Sequence, residues 1–264
     1  MRAGLAQLNK RFNFSPTTAT IAVVGFFIMN NIFLFDIDGT LTEPRQSMTP
    51  VFESWFYKWM HFNKVYLVTG SDMKKVREQV SDRIIENCCG IFCSMANELY
   101  MDRNLIYQNK LNLPEELQFW LQEQFQKSPY PIKRANNFEY RPGMLNFSIA
   151  GRESSIEERK AYYEWDKING ERKRIAESIN KNYRGEIEAC VGGQISIDIQ
   201  NTGNNKSLAS KWLRKNDPGT LIFFGDKTEI GGNDHAIVAD ISANNDGRWF
   251  NVQGPSQTKK ILEG

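Results

Sequence analysis

Two carboxylates one residue apart, Asp36 and Asp38, close the apolar run in FLFDIDGTLT at 33–42. Such a pair can hold a hard cation such as Mg2+ while one carboxylate attacks a phosphoryl group and the other handles its protons. A plain turn with an N-cap would also use D-x-D-G, but FLFD before it and GTLT after it favour the chemical reading. Two more apolar runs end in reactive types. The run at 65–68 gives way to Thr69-Gly70-Ser71-Asp72, where hydroxyls and backbone N–H groups at a helix start suit an anion such as phosphate. Any capped helix has Ser or Asp there, so this signal gains weight only beside the first. The run at 220–224 ends in Gly225-Asp226. Arg141, Arg152 and Arg159 form a third group, since guanidinium groups grip phosphate oxygens bidentately. Taken singly, each is more often a solvated surface arginine.

These residues need elements to carry them. Short buried strands are expected at 32–35, 65–68, 91–94 and 220–224, delivering their polar ends to the carboxyl edge of a sheet, where open α/β folds bind ligands. Phe52, Trp55, Phe56 and Trp59 within 50–63 share one helical face and read as packing surface. A polar helix follows Asp72 through Gln79. From 100 to 199 the texture changes: a strand at 105–108, a helix near 114–126, alternation at 144–149, one charged helix over 155–182 opened by a capping box, and a strand at 195–199. An insertion of that kind splits a parallel-sheet α/β core into 29–99 and 200–264 and places an α+β cap, 100–199, over its ligand edge.

At 264 residues the chain has room for one large core or two modest ones, at ~100–200 residues per domain. Lys and Arg number 33 against 31 Asp and Glu, so no basic excess points to nucleic acid or an anionic membrane as partner. Cys88, Cys89 and Cys93 cluster far from Cys190, and with two histidines in the chain a zinc site is poorly supported; reduced core thiols suit a cytosolic enzyme. Lys10 and Arg11 precede an apolar stretch at 19–29 that is too short to span a bilayer and lacks a small-x-small cleavage pattern. Secretion is not expected, and residues 1–28 read as an extension ahead of the folded unit, which could begin near Met29.

Five stretches, FDIDGTLTEPRQ (35–46), TGSDMKKVREQV (69–80), EYRPGMLNFSIAGRESSIEER (139–159), GGQISIDI (192–199) and FFGDKTEIGGNDHAI (223–237), resemble the eukaryotic-type phosphomannomutases of the haloacid dehalogenase superfamily in order and spacing. The resemblance implies a Rossmannoid core with a cap, and residue roles. Asp36 matches the nucleophile that becomes an aspartyl phosphate, Asp38 the general acid/base, and Lys206 the lysine that neutralises the phosphorylated aspartate. Asp226, the Asp36 carboxylate and the Asp38 backbone carbonyl match the Mg2+ site, with Asp234 supporting it. Ser71 matches the phosphoryl-binding hydroxyl, with Thr69 beside it. Arg45, Arg141, Arg152, Arg159, Ser196 and Asp198 match sugar- and phosphate-binding positions. A hexose 1,6-bisphosphate activator, a cap-mediated homodimer, a cytoplasmic location and a place in GDP-mannose biosynthesis are implied in the same way.

Three departures bear on the transfer. Thr69 stands where these mutases usually have glycine and related sugar-phosphate phosphatases more often have threonine. Asn205 precedes Lys206 where aspartate is frequent, and Ser94-Met95-Ala96-Asn97-Glu98 replaces a PENG segment. Two functions therefore stand: interconversion of mannose 6-phosphate and mannose 1-phosphate, or, as the alternative, Mg2+-dependent hydrolysis of a sugar phosphate on the same scaffold.

Overall fold

The computed structural model describes residues 30–264, and the 1–28 extension lies outside the described residues. Strands β1 (Asn31–Phe35), β2 (Lys64–Val68), β3 (Gly90–Cys93), β4 (Glu98–Met101), β5 (Asn104–Gln108), β10 (Thr220–Gly225) and β11 (Gly247–Asn251) form one sheet in the order β11-β10-β1-β2-β3-β4-β5. The first five of that order run parallel, and β4 and β5 return antiparallel at the edge. Chain order runs outward in both directions from the β1–β10 pair. The polar ends of β1, β2 and β10 therefore meet at the crevice where strand order reverses.

Alternation along β1 explains why this sheet is buried on both faces. Phe35 packs with α1 (Pro50–Met60), α2 (Met73–Gln79), α3 (Asp82–Ile85) and α9 (Pro255–Glu263) on one side, whereas Ile32 and Leu34 pack with α7 (Ser207–Asn216) and α8 (His235–Asn244) on the other. The aromatic stripe of α1 behaves as packing surface: Phe35 meets Phe56 and Trp59 edge-on at 5.3 and 5.9 Å. Thr49 and Pro50 start that helix, the Thr49 side chain accepting from the Phe52 amide.

The middle of the chain builds a second, antiparallel sheet in the order β6-β7-β9-β8, from β6 (Phe138–Arg141), β7 (Met144–Phe147), β8 (Ile187–Gly192) and β9 (Ser196–Asn201). Leu145, Phe147, Ile197 and Ile199 face α4 (Glu115–Lys127), α5 (Ile156–Asn169) and α6 (Glu171–Asn182) in a separate apolar core. The alternate positions Asn146, Ser196, Asp198 and Gln200 are polar yet buried. Two expectations need correcting. The single charged helix at 155–182 is two helices, because Gly170 adopts φ 63°, a left-handed conformation that ends one helix and admits the next. The strand at 105–108, read with the insertion, is the edge of the larger sheet, paired with β4. The two chain crossings between the sheets are tied together: Asn201 Nδ2 donates to the Lys110 carbonyl, and Asn97 Nδ2 to the Asn204 carbonyl.

Candidate active site

The end of β1 sets the first functional group. The Asp36 amide donates to the Phe224 carbonyl at 2.9 Å, which fixes Asp36 beside the end of β10 and hence beside Asp226. Gly39 follows at φ 78°, and a Cβ there would lie 2.5 Å from Asp226 Oδ2, so only glycine lets the β1 turn and Asp226 approach this closely. Asp36, Asp226 and Asp234 bring carboxylate oxygens within 4.8 Å of one another.

Lys206 is fully buried among them. Its Nζ lies 2.6 Å from Asp36 Oδ1 and 2.6 Å from Asp234 Oδ1, and Asp234 Oδ2 accepts from the Lys227 amide at 3.0 Å. Burial alone would lower the Lys206 ammonium, but Asp234 and Asp36 outweigh it and push it up. Burial pushes Asp36 well above the usual carboxylate range, with Asp234 and Asp226 adding to the rise and Lys206 opposing it; burial and Asp234 do the same to Asp226. Three carboxylates against two ammonium groups, Lys206 and Lys227, the latter 3.5 Å from Asp226 Oδ2, still leave excess negative charge in a largely buried site, and their all-oxygen donor set fits a hard divalent cation. Asp38 is outside that carboxylate cluster: its Oδ1 accepts from the Arg45 amide at 2.7 Å and from Gln79 Nε2 at 2.8 Å.

The end of β2 forms the next wall. The Thr69 hydroxyl accepts from the Ser71 amide at 3.1 Å, and the loop is braced from β3 and the residues after it through Thr69 N to Phe92 O and Ser94 N to Ser71 O, each 2.8 Å. Opposite stands the polar side of the smaller sheet. Arg141 Nη1 reaches across to the Gly70 carbonyl at 2.5 Å, Arg152 Nη1 donates to Ser196 Oγ at 2.9 Å, and Asn146 Nδ2 donates to Asp198 Oδ1 at 2.5 Å. On a second line of contact, the Val191 amide of β8 donates to the Gly231 carbonyl at 2.8 Å, three residues before Asp234.

One cavity thus has Asp36, Asp38, Asp226, Thr69, Ser71 and, from the loop after β1, Arg45 on the side of the larger sheet, and Arg141, Arg152, Ser196 and Asp198 on the side of the smaller. Lys206 and Asp234 lie beneath it. Arg159 does not line the cavity; its guanidinium donates to the Ser154 and Arg152 carbonyls and so braces the segment that carries Arg152, while its Nη1 is buried without a hydrogen-bond partner. Sequence reasoning passed over Gln79, Asn146, Tyr163, Gln194, Asn233 and Lys227; of these Asn146 was accessible from the alternation at 144–149, because it shares the polar face with the residues of β9. Unsatisfied buried atoms at Asn146 Oδ1, Asn233 Oδ1 and Arg141 Nε leave hydrogen-bonding capacity around this space.

A family model for eukaryotic phosphomannomutase matches residues 52–264. Among curated relatives, a probable phosphomannomutase of Caenorhabditis elegans is 33% identical over 248 residues, 88% of this chain and 94% of the relative. A phosphomannomutase of Spinacia oleracea is 34% identical over 218 residues, 79% of this chain and 86% of the relative. In fold, the chain is similar to the C-terminal domain of trehalose-6-phosphate phosphatase from C. albicans, with a TM-score of 0.59 at 14% identity, covering 89% of this chain and 91% of that one. It is also similar to a haloacid dehalogenase-like hydrolase from Bacteroides thetaiotaomicron, with a TM-score of 0.52 at 13% identity, covering 88% and 99%. The α/β architecture with its mostly parallel sheet is thus that of haloacid dehalogenase-like proteins.

Proposed function

The chain belongs to the eukaryotic phosphomannomutase family, and on that premise we propose that it interconverts mannose 6-phosphate and mannose 1-phosphate, with Asp36 carrying the phosphoryl group between turnovers. The observation that carries the reading is a cavity with a buried Lys206–Asp36 pair behind one wall and the guanidinium groups of Arg141 and Arg152 on the other. A bisphosphate needs two anion-binding poles, and hydrolysis of a monoester needs one.

In this scheme Asp36 presents its carboxylate to the phosphorus while Lys206 neutralises the oxygen it contacts. Asp38, fixed by the Arg45 amide and Gln79, protonates the departing sugar oxygen and later takes the proton from the attacking sugar hydroxyl. Ser71 and the loop amides receive the phosphoryl oxygens, and Arg45, Arg141 and Arg152 grip the phosphate that is not reacting, with Ser196 and Asp198 placed toward the sugar. Arg159 serves by holding Arg152. Mg2+ would be held by Asp36, Asp226 and the Asp38 backbone carbonyl, with Asp234 orienting the group, and it would supply charge neutralisation at the phosphoryl centre.

The proposal extends to a hexose 1,6-bisphosphate activator that loads Asp36, a homodimer formed through the cap, a cytoplasmic location and supply of mannose 1-phosphate for GDP-mannose synthesis. No helix among the described residues is long and apolar enough to cross a membrane. The catalytic core would comprise 29–99 with β4 and β5, together with 200–264, and the cap the rest of 100–199. The test is an assay of mannose 1-phosphate with glucose 1,6-bisphosphate: isomerised sugar is expected, and free phosphate without isomerised sugar rejects the mutase. Asp36→Asn is expected to lower turnover by about 10³-fold or more.

A further inference from the structure

Glu139 stands where cations from both sides of the cavity meet. Its Oε2 accepts from Arg141 Nη2 at 2.7 Å and forms an ion pair with Arg152 Nε at 2.7 Å, and its Oε1 pairs with Lys75 Nζ. Lys75 sits on α2, whose N-cap Asp72 directly follows Ser71, whereas Glu139 and Arg141 lie on β6. The Lys75 and Glu139 side chains are 23% and 25% exposed, and neither lines the cavity, so neither is placed to touch the substrate. Burial alone would raise the Glu139 carboxyl, but the two guanidinium groups and Lys75 outweigh it and hold it down at about 2. The carboxylate is therefore charged throughout the working range and ties β6 to the helix that starts at the phosphate loop.

We propose that Lys75 and Glu139 are a positioning pair that holds the cap against the core and so selects a sugar hydroxyl over water as acceptor of the phosphoryl group on Asp36. The inference rests on the mutase reading and specifies what keeps that mutase from hydrolysing its intermediate. In transfer, the sugar oxygen bonds to phosphorus, the bond from phosphorus to the Asp36 oxygen breaks, and the hydroxyl proton passes to Asp38. In hydrolysis, a water oxygen forms that bond, the same Asp36 bond breaks, the proton again passes to Asp38, and inorganic phosphate leaves. The routes differ only in the acceptor, so water access to Asp36 divides them.

Lys75 is the separable half of the pair. Without its ammonium, Glu139 retains both guanidinium partners, so Arg141 and Arg152 keep their orientation and only the tie to α2 is lost. Lys75→Met, Lys75→Arg and Glu139→Gln would be assayed with mannose 1-phosphate and glucose 1,6-bisphosphate, counting isomerised sugar and released inorganic phosphate in the same sample. Phosphate released per sugar isomerised is expected to rise about tenfold in Lys75→Met and to return to the wild-type ratio in Lys75→Arg. A ratio in Lys75→Met within about twofold of wild type, while wild type isomerises normally, overturns this inference alone. Should Lys75→Met fail to fold, Glu139→Gln decides by the same ratio, and an unchanged value again overturns the inference. Wild-type protein that releases phosphate without isomerised sugar removes the mutase reading and the positioning pair with it.

Discussion

Replacing Arg172 by methionine tests whether the far wall of the cavity depends on one buried cation. Arg172 and Asp166 expose only 4% and 8% of their side chains. Asp166 accepts from Arg172 Nε at 2.7 Å and from the Arg172 amide at 2.9 Å, while Arg172 Nη1 donates to the Gly192 and Gly193 carbonyls at 3.2 and 3.1 Å. Gly192 and Gly193 open the turn that lines the cavity as far as Ser196. Removing the guanidinium leaves the Asp166 carboxylate buried without its ionic partner, and breaking such a pair costs about 3–5 kcal/mol. At about 2–4 °C per kcal/mol for a chain of this size, the melting temperature should fall by about 6–20 °C. KM for sugar phosphate should rise with it, because Ser196, which accepts from Arg152, closes the loosened turn. Adding Asp166→Leu should recover part of the stability loss, since two apolar groups replace two charges, but should not restore KM, because the carbonyls of the turn still lack their donor. A melting temperature within about 3 °C of wild type for Arg172→Met would refute the reasoning, as would an unchanged KM in a destabilised variant.

Glu139 gives an acid-side prediction. Its folded-state pKa of about 2 lies below the ordinary 4.5, so its contribution to stability is present above about 4.5 and is lost as pH falls toward 2. The contribution is at most about 3 kcal/mol, and the melting-temperature gap between wild type and Glu139→Gln should narrow between pH 5 and 3; a constant gap would contradict it. Gly39→Ala combines left-handed strain of about 1–2 kcal/mol with a clash against Asp226. It should lower kcat far more than stability, as read by activity beside thermal melts. Gly170→Ala meets no atom within 4 Å, so it should cost only the left-handed strain of about 1–2 kcal/mol and leave kcat unchanged; a change in kcat would show that the α5–α6 junction reaches the site.

The strand ends were legible because each signal is local: an apolar run, then acid or hydroxyl, at 36, 69–71 and 226. The contact of Lys206 with Asp36, 170 residues away, came from family resemblance alone. Arg141 and Arg152 reach the cavity, but nothing in their sequence neighbourhood distinguishes them from Arg159, which turns toward two carbonyls. Glu139 carried no signal of its own in the sequence, because its three partners come from α2, β6 and the segment after β7, a convergence that only tertiary structure creates. The break at Gly170 was hidden by charged residues on both sides that suit one long helix equally well. Likewise 105–108, with Leu105 and Ile106 half exposed, resembles a strand of either sheet until its partner β4 is known.

The hydrogen bond from the Val191 amide to the Gly231 carbonyl bears on how the two sheets are coupled. It fastens the edge of the smaller sheet to the short loop that ends at Asp234, and Asp234 in turn grips Lys206. Were the two sheets to part for sugar exchange, this link would break and the loop beside the Lys206–Asp234 pair would lose its tie to the smaller sheet. The contact between the sheets and the charge pairs around Asp36 thus share one short loop, the one that ends at Asp234.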